Sequence, residues 1–571
     1  MGVRIARGYV RTRMGEVHYR RAGAGPAVVL LHDSPRSSLL HLPLLRALGD
    51  RFTVFALDTP GYGASTPLDL GRAPVIADFA EALELTLSAL GIGRAAFYAC
   101  HTGSKILLDF AVRWPARVGV AVLDGLSIPA GDPAGGFPNE GFPNEGFIER
   151  YMRPFELDAE GAWLGREWTR VKDTLRWFPW FTADQAGRMP IDLPPLEDIQ
   201  AYCLDYFMAG PHYADAYRAA MRHNPLDNVA RAVAPVVYTA RADDVLFSHL
   251  DRLPPHRRID RLPADRTVWL AAIGRHLAAA AGTEPYREPA GAEGPGPSRF
   301  HAGLPHGQIR LHRFGRARDR RPLLWLHDPP GGAAADGPLL SALGRGRLVL
   351  APDLPGCGQS DPLPDPGLAA YVDALAGLLD VLAIGMVDIA AEGMATPIAL
   401  ALMAAHPGRV GAAILDGAVL ADDAGRDDMA RRYCPPLVLS GGGAHWHEAW
   451  HLLRDREAQF PWYGSGAASI RHRTPDLAAG RLRALLLDVM AQPARYGDAV
   501  HAAVSRDVRP LLPGLGHPVL LCADSGDPRQ GWSHRAAADL SHAIVRQRPA
   551  TPEERARLYL DFLERASDAD S

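Results

Sequence analysis

Apolar residues in this chain come in short unbroken runs that stop at clusters of Pro, Gly and Asp. Ala27-Val28-Val29-Leu30-Leu31 stops at His32-Asp33-Ser34-Pro35, and Thr53-Val54-Phe55-Ala56-Leu57 stops at Asp58-Thr59-Pro60-Gly61-Tyr62-Gly63. Val118 to Gly125 and Val236-Val237-Tyr238 have the same form. Such runs predict buried strands ending in tight loops. Residues 9 to 21 alternate instead, as a two-stranded opening would. Between the runs the spacing turns helical, as at Ile106, Phe110, Ala111 and Trp114. Strands alternating with helices predict an α/β fold whose sheet is mostly parallel, with crossover helices on its faces.

One junction stands out. In Phe97-Tyr98-Ala99-Cys100-His101-Thr102-Gly103-Ser104-Lys105 a predicted strand turns sharply into a predicted helix, and small residues, Ala99 and Gly103, flank His101 two positions to either side. That is the spacing of the G-x-S-x-G nucleophile elbow, where a larger neighbour would clash with strand or helix. With the Asp58 to Gly63 loop, these residues make the sequence resemble the α/β-hydrolase superfamily. The position of the nucleophile holds histidine, where Ser, Cys or Asp is expected.

The order of landmarks returns after residue 300. Leu323-Leu324-Trp325-Leu326-His327-Asp328-Pro329-Pro330 repeats the first loop, and Asp353-Leu354-Pro355-Gly356-Cys357-Gly358 repeats the second at the same separation. Trp114-Pro115-Ala116-Arg117-Val118 aligns with His406-Pro407-Gly408-Arg409-Val410, which carries Leu123-Asp124-Gly125 onto Leu415-Asp416-Gly417 and His101 onto Gly393. Long insertions follow in both halves and share Phe178-Pro179-Trp180-Phe181 and Phe460-Pro461-Trp462-Tyr463. The expected organisation is two tandem units. Residues 1–280 form the first, with a helical cap at about 130–232. Residues 281–299, rich in Gly, Pro, Glu and Ala, are a linker. Residues 300–571 form a second, degenerate unit with a cap at about 420–510. The doubled Gly-Phe-Pro-Asn-Glu at 136–145 is read as a loop at the entrance to the first cap.

The resemblance implies a nucleophile, an acid and a base in that chain order, met here by His101, Asp244 and His276. His276 is expected in a loop after a strand at Thr267 to Leu270. An oxyanion hole would use the N–H of Thr102 and one from the His32-Asp33-Ser34 loop, that of Ser34, with the Asp33 carboxylate close by. An imidazole at the apex can be a nucleophile or a general acid or base, and His101, Asp244 and His276 together could also form a 2-His-1-carboxylate metal set. Acid/base or weak nucleophilic work without metal or cofactor is the expectation, on a small or medium apolar ester-like substrate. The alternative is a catalytically inactive ligand-binding or scaffold protein. In the second unit Gly393 has no side chain to react, Pro329 has no N–H to donate, and Val545-Arg546-Gln547-Arg548-Pro549 offers no His; that unit is expected to be non-catalytic.

Composition narrows the partners. The 571 residues are 47% hydrophobic and 22% charged, with a formal net charge of -4, which shows no basic face for nucleic acid. Lys105 and Lys172 are the only lysines. Five dispersed cysteines fit a reducing compartment, and with no apolar leader a cytoplasmic location is expected. The expected partners are a small-molecule substrate, with no nucleic acid and no membrane, an intramolecular pairing of the two domains, and possible homo-oligomers.

Overall fold

The computed structural model describes residues 3–129, 143–189, 191–279, 282, 284–289, 298–317 and 319–569. The chain divides into two units, Met1–Glu156 with Arg166–Pro297, and Leu157–Gly165 with Ser298–Ser571. Each contains an eight-stranded, mostly parallel sheet flanked by helices, so the class is α/β.

In the first unit the strands are β1 (Ile5–Thr12), β2 (Gly15–Ala22), β3 (Ala27–Leu31), β4 (Thr53–Leu57), β5 (Ala95–Cys100), β6 (Val118–Asp124), β7 (Val236–Arg241) and β8 (Ile259–Leu262). Their order is β1-β2-β4-β3-β5-β6-β7-β8, with β1 and β2 antiparallel and the strands from β4 to β8 parallel. The sheet is flanked by α1 (Leu42–Leu48), α2 (Ile76–Ala89) and α3 (Thr102–Arg113). The insertion after β6 carries α4 (Glu145–Tyr151), α5 (Ala162–Thr174), α6 (Leu196–Ala209), α7 (Asp215–Arg222) and α8 (Leu226–Arg231), and α9 (Arg266–Ala278) closes the unit. Strand order reverses at β3, which pairs with β4 on one side and β5 on the other. Open parallel sheets bind ligands at the carboxyl end of such a reversal.

The second unit repeats this plan with β9 (Arg299–Leu304), β10 (Gly307–Phe314), β11 (Leu323–Leu326), β12 (Val349–Pro352), β13 (Val387–Glu392), β14 (Val410–Asp416), β15 (Val519–Ala523) and β16 (Ala543–Gln547). The order is again that of the first sheet, β9-β10-β12-β11-β13-β14-β15-β16. Its helices are α10 (Gly337–Gly344), α11 (Leu368–Val381), α12 (Thr396–Ala405), α13 (Asp423–Arg432), α14 (Ala444–Asp455), α15 (Ala479–Met490), α16 (Asp498–Val504), α17 (Gln530–Asp539) and α18 (Pro552–Ala569). Both faces of each sheet are sealed by apolar side chains, Val28 and Leu30 on one face and Val29 and Leu31 on the other in the first unit, and Leu324 and Ile389 against Leu323 and Ala390 in the second.

Three expectations about local structure change. Thr267 to Leu270 is the first turn of α9, and the strand lies earlier, at β8. Within the stretch read as linker, Tyr286 donates to Leu90 O at 2.9 Å and packs on Phe55, so this part of it is docked on the first unit; β9 begins at Arg299. Of the doubled Gly-Phe-Pro-Asn-Glu, residues 136–142 lie outside the described residues, and Asn144 caps α4 by accepting from Phe147 N. Of the cap aromatics, Trp168 is buried, and Trp180 donates to Tyr151 O under the guanidinium groups of Arg153 and Arg170. No helix among the described residues is long and apolar enough to cross a membrane.

Candidate functional site

The site is built where β5 meets α3. His101 has φ 46 and ψ -110, one of two non-glycine residues with positive φ among the described residues, and this backbone lifts its ring off the end of the sheet. The conformation is costly for a residue with a Cβ and persists only where the surroundings fix it. They do so here: His101 N donates to Asp124 O at 2.9 Å, and Ser104 Oγ donates to Ala99 O and Asp124 O. Gly103 is required by close approach, since a Cβ there would stand 2.7 Å from His32 O and 3.0 Å from Leu31 O.

The ring is one-third exposed, and its Nε2 lies 2.8 Å from Asp244 Oδ2. Asp244 sits just beyond β7, its other oxygen accepting from Leu246 N. Gly125 supplies the room for this pair, because a Cβ there would come within 2.6 Å of the His101 ring and 3.1 Å of Asp244 Oδ2. Burial alone would lower the imidazole, but Asp244, with Asp33 and Asp124 adding their fields, raises it to about 9. Asp244 moves the other way: burial would raise it, yet His101 holds it down at about 2. The pair therefore favours an imidazolium beside a carboxylate over a neutral ring.

The remaining sequence-predicted residues are placed as follows. Asp33 and His101 follow adjacent strands, for Leu31 pairs with Ala99 in register. Asp33 Oδ1 is buried without a hydrogen-bond partner. Ser34 points its hydroxyl away, donating to Tyr62 Oη at 3.0 Å. The N–H of Thr102, at the first position of α3, makes no hydrogen bond among the described residues, as expected at a helix N-terminus. His276 does not join His101 and Asp244. It lies near the C-terminal end of α9, where Nε2 meets Asp260 Oδ2 at 2.7 Å and Nδ1 is 3.4 Å from Arg258. Pro263-Ala264-Asp265, which follow β8, contain no histidine. Among the described residues no group of three His, Cys, Asp or Glu could hold a metal ion, so the three-residue metal set does not assemble. Replacing His276 by alanine should therefore leave any turnover by the first unit unchanged and cost about 1 kcal/mol, the scale of one partly buried side-chain hydrogen bond. Steady-state rates and a thermal melt check this.

Two neighbours escaped the sequence reading. Trp269 Nε1 and Tyr98 Oη both donate to Asp124 Oδ2, at 2.8 and 2.9 Å, tying α9 and β5 to the end of β6. Asp124 is thus fully engaged in holding the site together. In the second unit Tyr559 and Arg555 serve Asp416 in the same way.

The second unit shows what became of the same turn there. Gly393 has φ 54 and no side chain, and the Asp328 carboxylate fills the space: Met394 N donates to Asp328 Oδ1 at 2.8 Å, and a Cβ on Gly393 would meet that group at 2.3 Å. Asp527 persists, with the Arg529 guanidinium bonded to both of its oxygens at 2.9 Å. A Cβ on Gly417 would strike that guanidinium, as one on Gly125 would strike the His101 ring. Both units therefore keep a cation and a carboxylate beside the same glycine.

A family model and several known proteins match parts of this chain. The family described as alpha/beta hydrolase fold matches residues 26–202 and 322–484. Carboxylesterase YbfK of Bacillus subtilis is 30% identical over 117 residues, 20% of this chain and 39% of that protein. The 2-hydroxy-6-oxo-6-phenylhexa-2,4-dienoate hydrolase of Comamonas testosteroni is 30% identical over 113 residues, 19% of this chain and 39% of that protein. The chain thus spans about two-fifths of the length of these relatives. A solved hydrolase from Pseudomonas aeruginosa aligns at 21% identity and a TM-score of 0.37, over 46% of this chain and 98% of that one. With the family match in both halves and two sheets of identical strand order, the chain belongs to the α/β-hydrolase fold family.

Proposed function

We propose that the first unit is a cofactor-independent acid/base enzyme that hydrolyses a small carbonyl ester, with His101 acting as a fixed imidazolium in place of a nucleophile. The observation that carries this reading is the 2.8 Å pair of His101 Nε2 and Asp244 Oδ2 at the apex of the strand-to-helix turn. With Nε2 committed to Asp244, Nδ1–H is the proton left to face a ligand, and it has no partner among the described residues. Together with Thr102 N–H it offers two donors to an oxygen gaining negative charge, the service an oxyanion hole performs. Asp33, with a buried unpartnered oxygen after the adjacent strand, is the group to take a proton from attacking water. The second unit supports the donor assignment, since the corresponding N–H of Met394 binds a carboxylate oxygen.

A second reading, a ligand-binding unit without turnover, is favoured by the Arg529–Asp527 pair, where a guanidinium that cannot transfer its proton fills the corresponding role. The pH dependence of ester turnover separates the two and tests the mechanism. His101 binds its proton more tightly in the folded protein. An activity that needs the imidazolium is therefore level through neutral pH and falls as the pH rises through about 9. A neutral imidazole nucleophile would give the opposite limb, rising toward that pH. Turnover of p-nitrophenyl acetate indistinguishable between wild type and His101→Gly would leave the binding reading.

A further inference from the structure

The second unit encloses a cavity of about 850 Å³ between its cap insertion and the carboxyl end of its sheet. That volume is in the range of small-molecule sites, which run from about 300 to 1,000 Å³. Its core side is lined by Asp328, Glu392, Arg548 and Arg555, and its cap side by Arg473 and Arg481. Arg548 directly follows β16, the place where the family resemblance called for a histidine. The wall is completed by apolar side chains, among them Leu339, Ala484 and Leu485. We infer that this cavity binds an organic anion, its phosphate or carboxylate held by Arg473, Arg481 and Arg548 and its apolar part lying against Leu339, Ala484 and Leu485.

The arginines are anchored at one nitrogen and open at another. Arg473 Nη2 and Arg481 Nη1 both donate to Glu457, at 2.7 and 2.8 Å, and Arg548 Nη2 donates to Glu392. Arg473 Nη1 and Arg548 Nη1 approach a single oxygen, Asp524 Oδ2, but stop at 3.8 and 3.6 Å. That oxygen is buried and has no hydrogen-bond partner. Neither of these Nη1 groups, nor Arg481 Nη2, makes a hydrogen bond among the described residues. Three guanidinium groups thus line one space with a nitrogen that makes no hydrogen bond, two of them in longer ion-pair contact with Asp524, while Glu457 and Glu392 fix their planes. Such preorganised forks suit the bidentate geometry of phosphate and carboxylate. Charge of both signs lines the cavity, with Asp328, Asp336, Glu392, Glu457, Asp476 and Asp524 set among the arginines, so the arginines are held in place by carboxylates at one edge and offer their other nitrogens to a ligand. The reacting side chain is missing and the oxyanion position is filled by Asp328, so the cavity is suited to holding a ligand and not to turning it over.

Calorimetric titration of the full chain with phenyl phosphate, using phenol as the uncharged control, tests the assignment. Saturable binding of phenyl phosphate at about 1 mM or tighter is expected, with none for phenol. Arg473→Gln should weaken it at least about tenfold, the loss of roughly one charge-assisted hydrogen bond. Ala484→Trp, which fills the cavity and leaves the charges in place, should abolish it and decides the matter if Arg473→Gln fails to fold. His101→Gly should leave it unchanged. Absence of saturable binding, equal binding of phenol, or affinity that survives Ala484→Trp overturns the assignment. Affinity lost in His101→Gly but kept in Ala484→Trp would place the anion in the first unit instead.

Discussion

His101→Gly is expected to lower p-nitrophenyl acetate turnover by about 100- to 1,000-fold, the range for removing one donor from an oxyanion site, while keeping the backbone turn and losing only the stability of the His101–Asp244 pair. Glycine is the informative substitution because the backbone at residue 101 has φ 46, a conformation glycine adopts without steric cost. The second unit makes the same turn with Gly393 at φ 54. Any loss of rate is then assigned to the missing imidazolium and not to a collapsed turn. An alanine at 101 would confound the two, since it keeps the backbone strain. Rates for wild type, His101→Gly and His276→Ala, with melting curves for each, check the result. A fall of less than threefold in His101→Gly would remove the imidazolium from the mechanism.

Asp58→Ala is expected to give the largest loss of stability, about 3 to 5 kcal/mol, because it leaves several buried donors unsatisfied at once. Asp58 is 2% exposed. It accepts from Ser38 N at 2.7 Å, Ala64 N at 2.9 Å and His18 Nδ1 at 2.8 Å, joining β2, the end of β4 and the chain after β3. Burial outweighs the pull of Asp58 and lowers His18, so the ring donates as a neutral imidazole; the carboxyl itself is held far below its usual range despite its burial. The second unit puts Arg310, with Ala333 N and Gln359 N, around Asp353 at the matching position. Denaturant titration should show the first unit's transition moving by this amount, and a change below 1 kcal/mol would mean that the network is not a keystone of the loop.

The Ala99, His101 and Gly103 spacing carried the elbow because close backbone approach leaves a compositional trace: Gly103 faces two main-chain carbonyls. The two sheets were legible for a similar reason, buried parallel strands being unbroken apolar runs. The misreading near residue 267 has an equally physical origin. β8 is the four residues Ile-Asp-Arg-Leu, partly exposed and half charged, whereas Thr267-Val268-Trp269-Leu270 has the composition of a strand. The overlooked signal was Asp265, whose side chain accepts from Thr267 N and Val268 N and caps α9. With that helix in place His276 falls beside Asp260, away from the apex. The roles of Arg529 and Arg548 left no trace in the sequence, because the partners of a charged side chain are set by tertiary contacts between distant segments.

The ion pair also fixes a pH window. A histidine raised from 6.5 to about 9 contributes stability that is complete below its ordinary value and is lost as the pH rises through about 9. Asp244, lowered from 3.8 to about 2, contributes above its ordinary value and loses that contribution as the pH falls through about 2. The pair is ionised between about pH 2 and 9, and its contribution to stability is complete between about pH 4 and 6.5.

The proposed mechanism needs His101 to be a cation at neutral pH, and titration of its ring by two-dimensional 1H–15N NMR, assigned by the signal lost in His101→Gly, measures that directly. A midpoint near 9 is expected in the wild type, dropping well below that in Asp244→Asn. A wild-type midpoint at or below 6.5 would contradict the mechanism and return His101 to the role of a neutral imidazole.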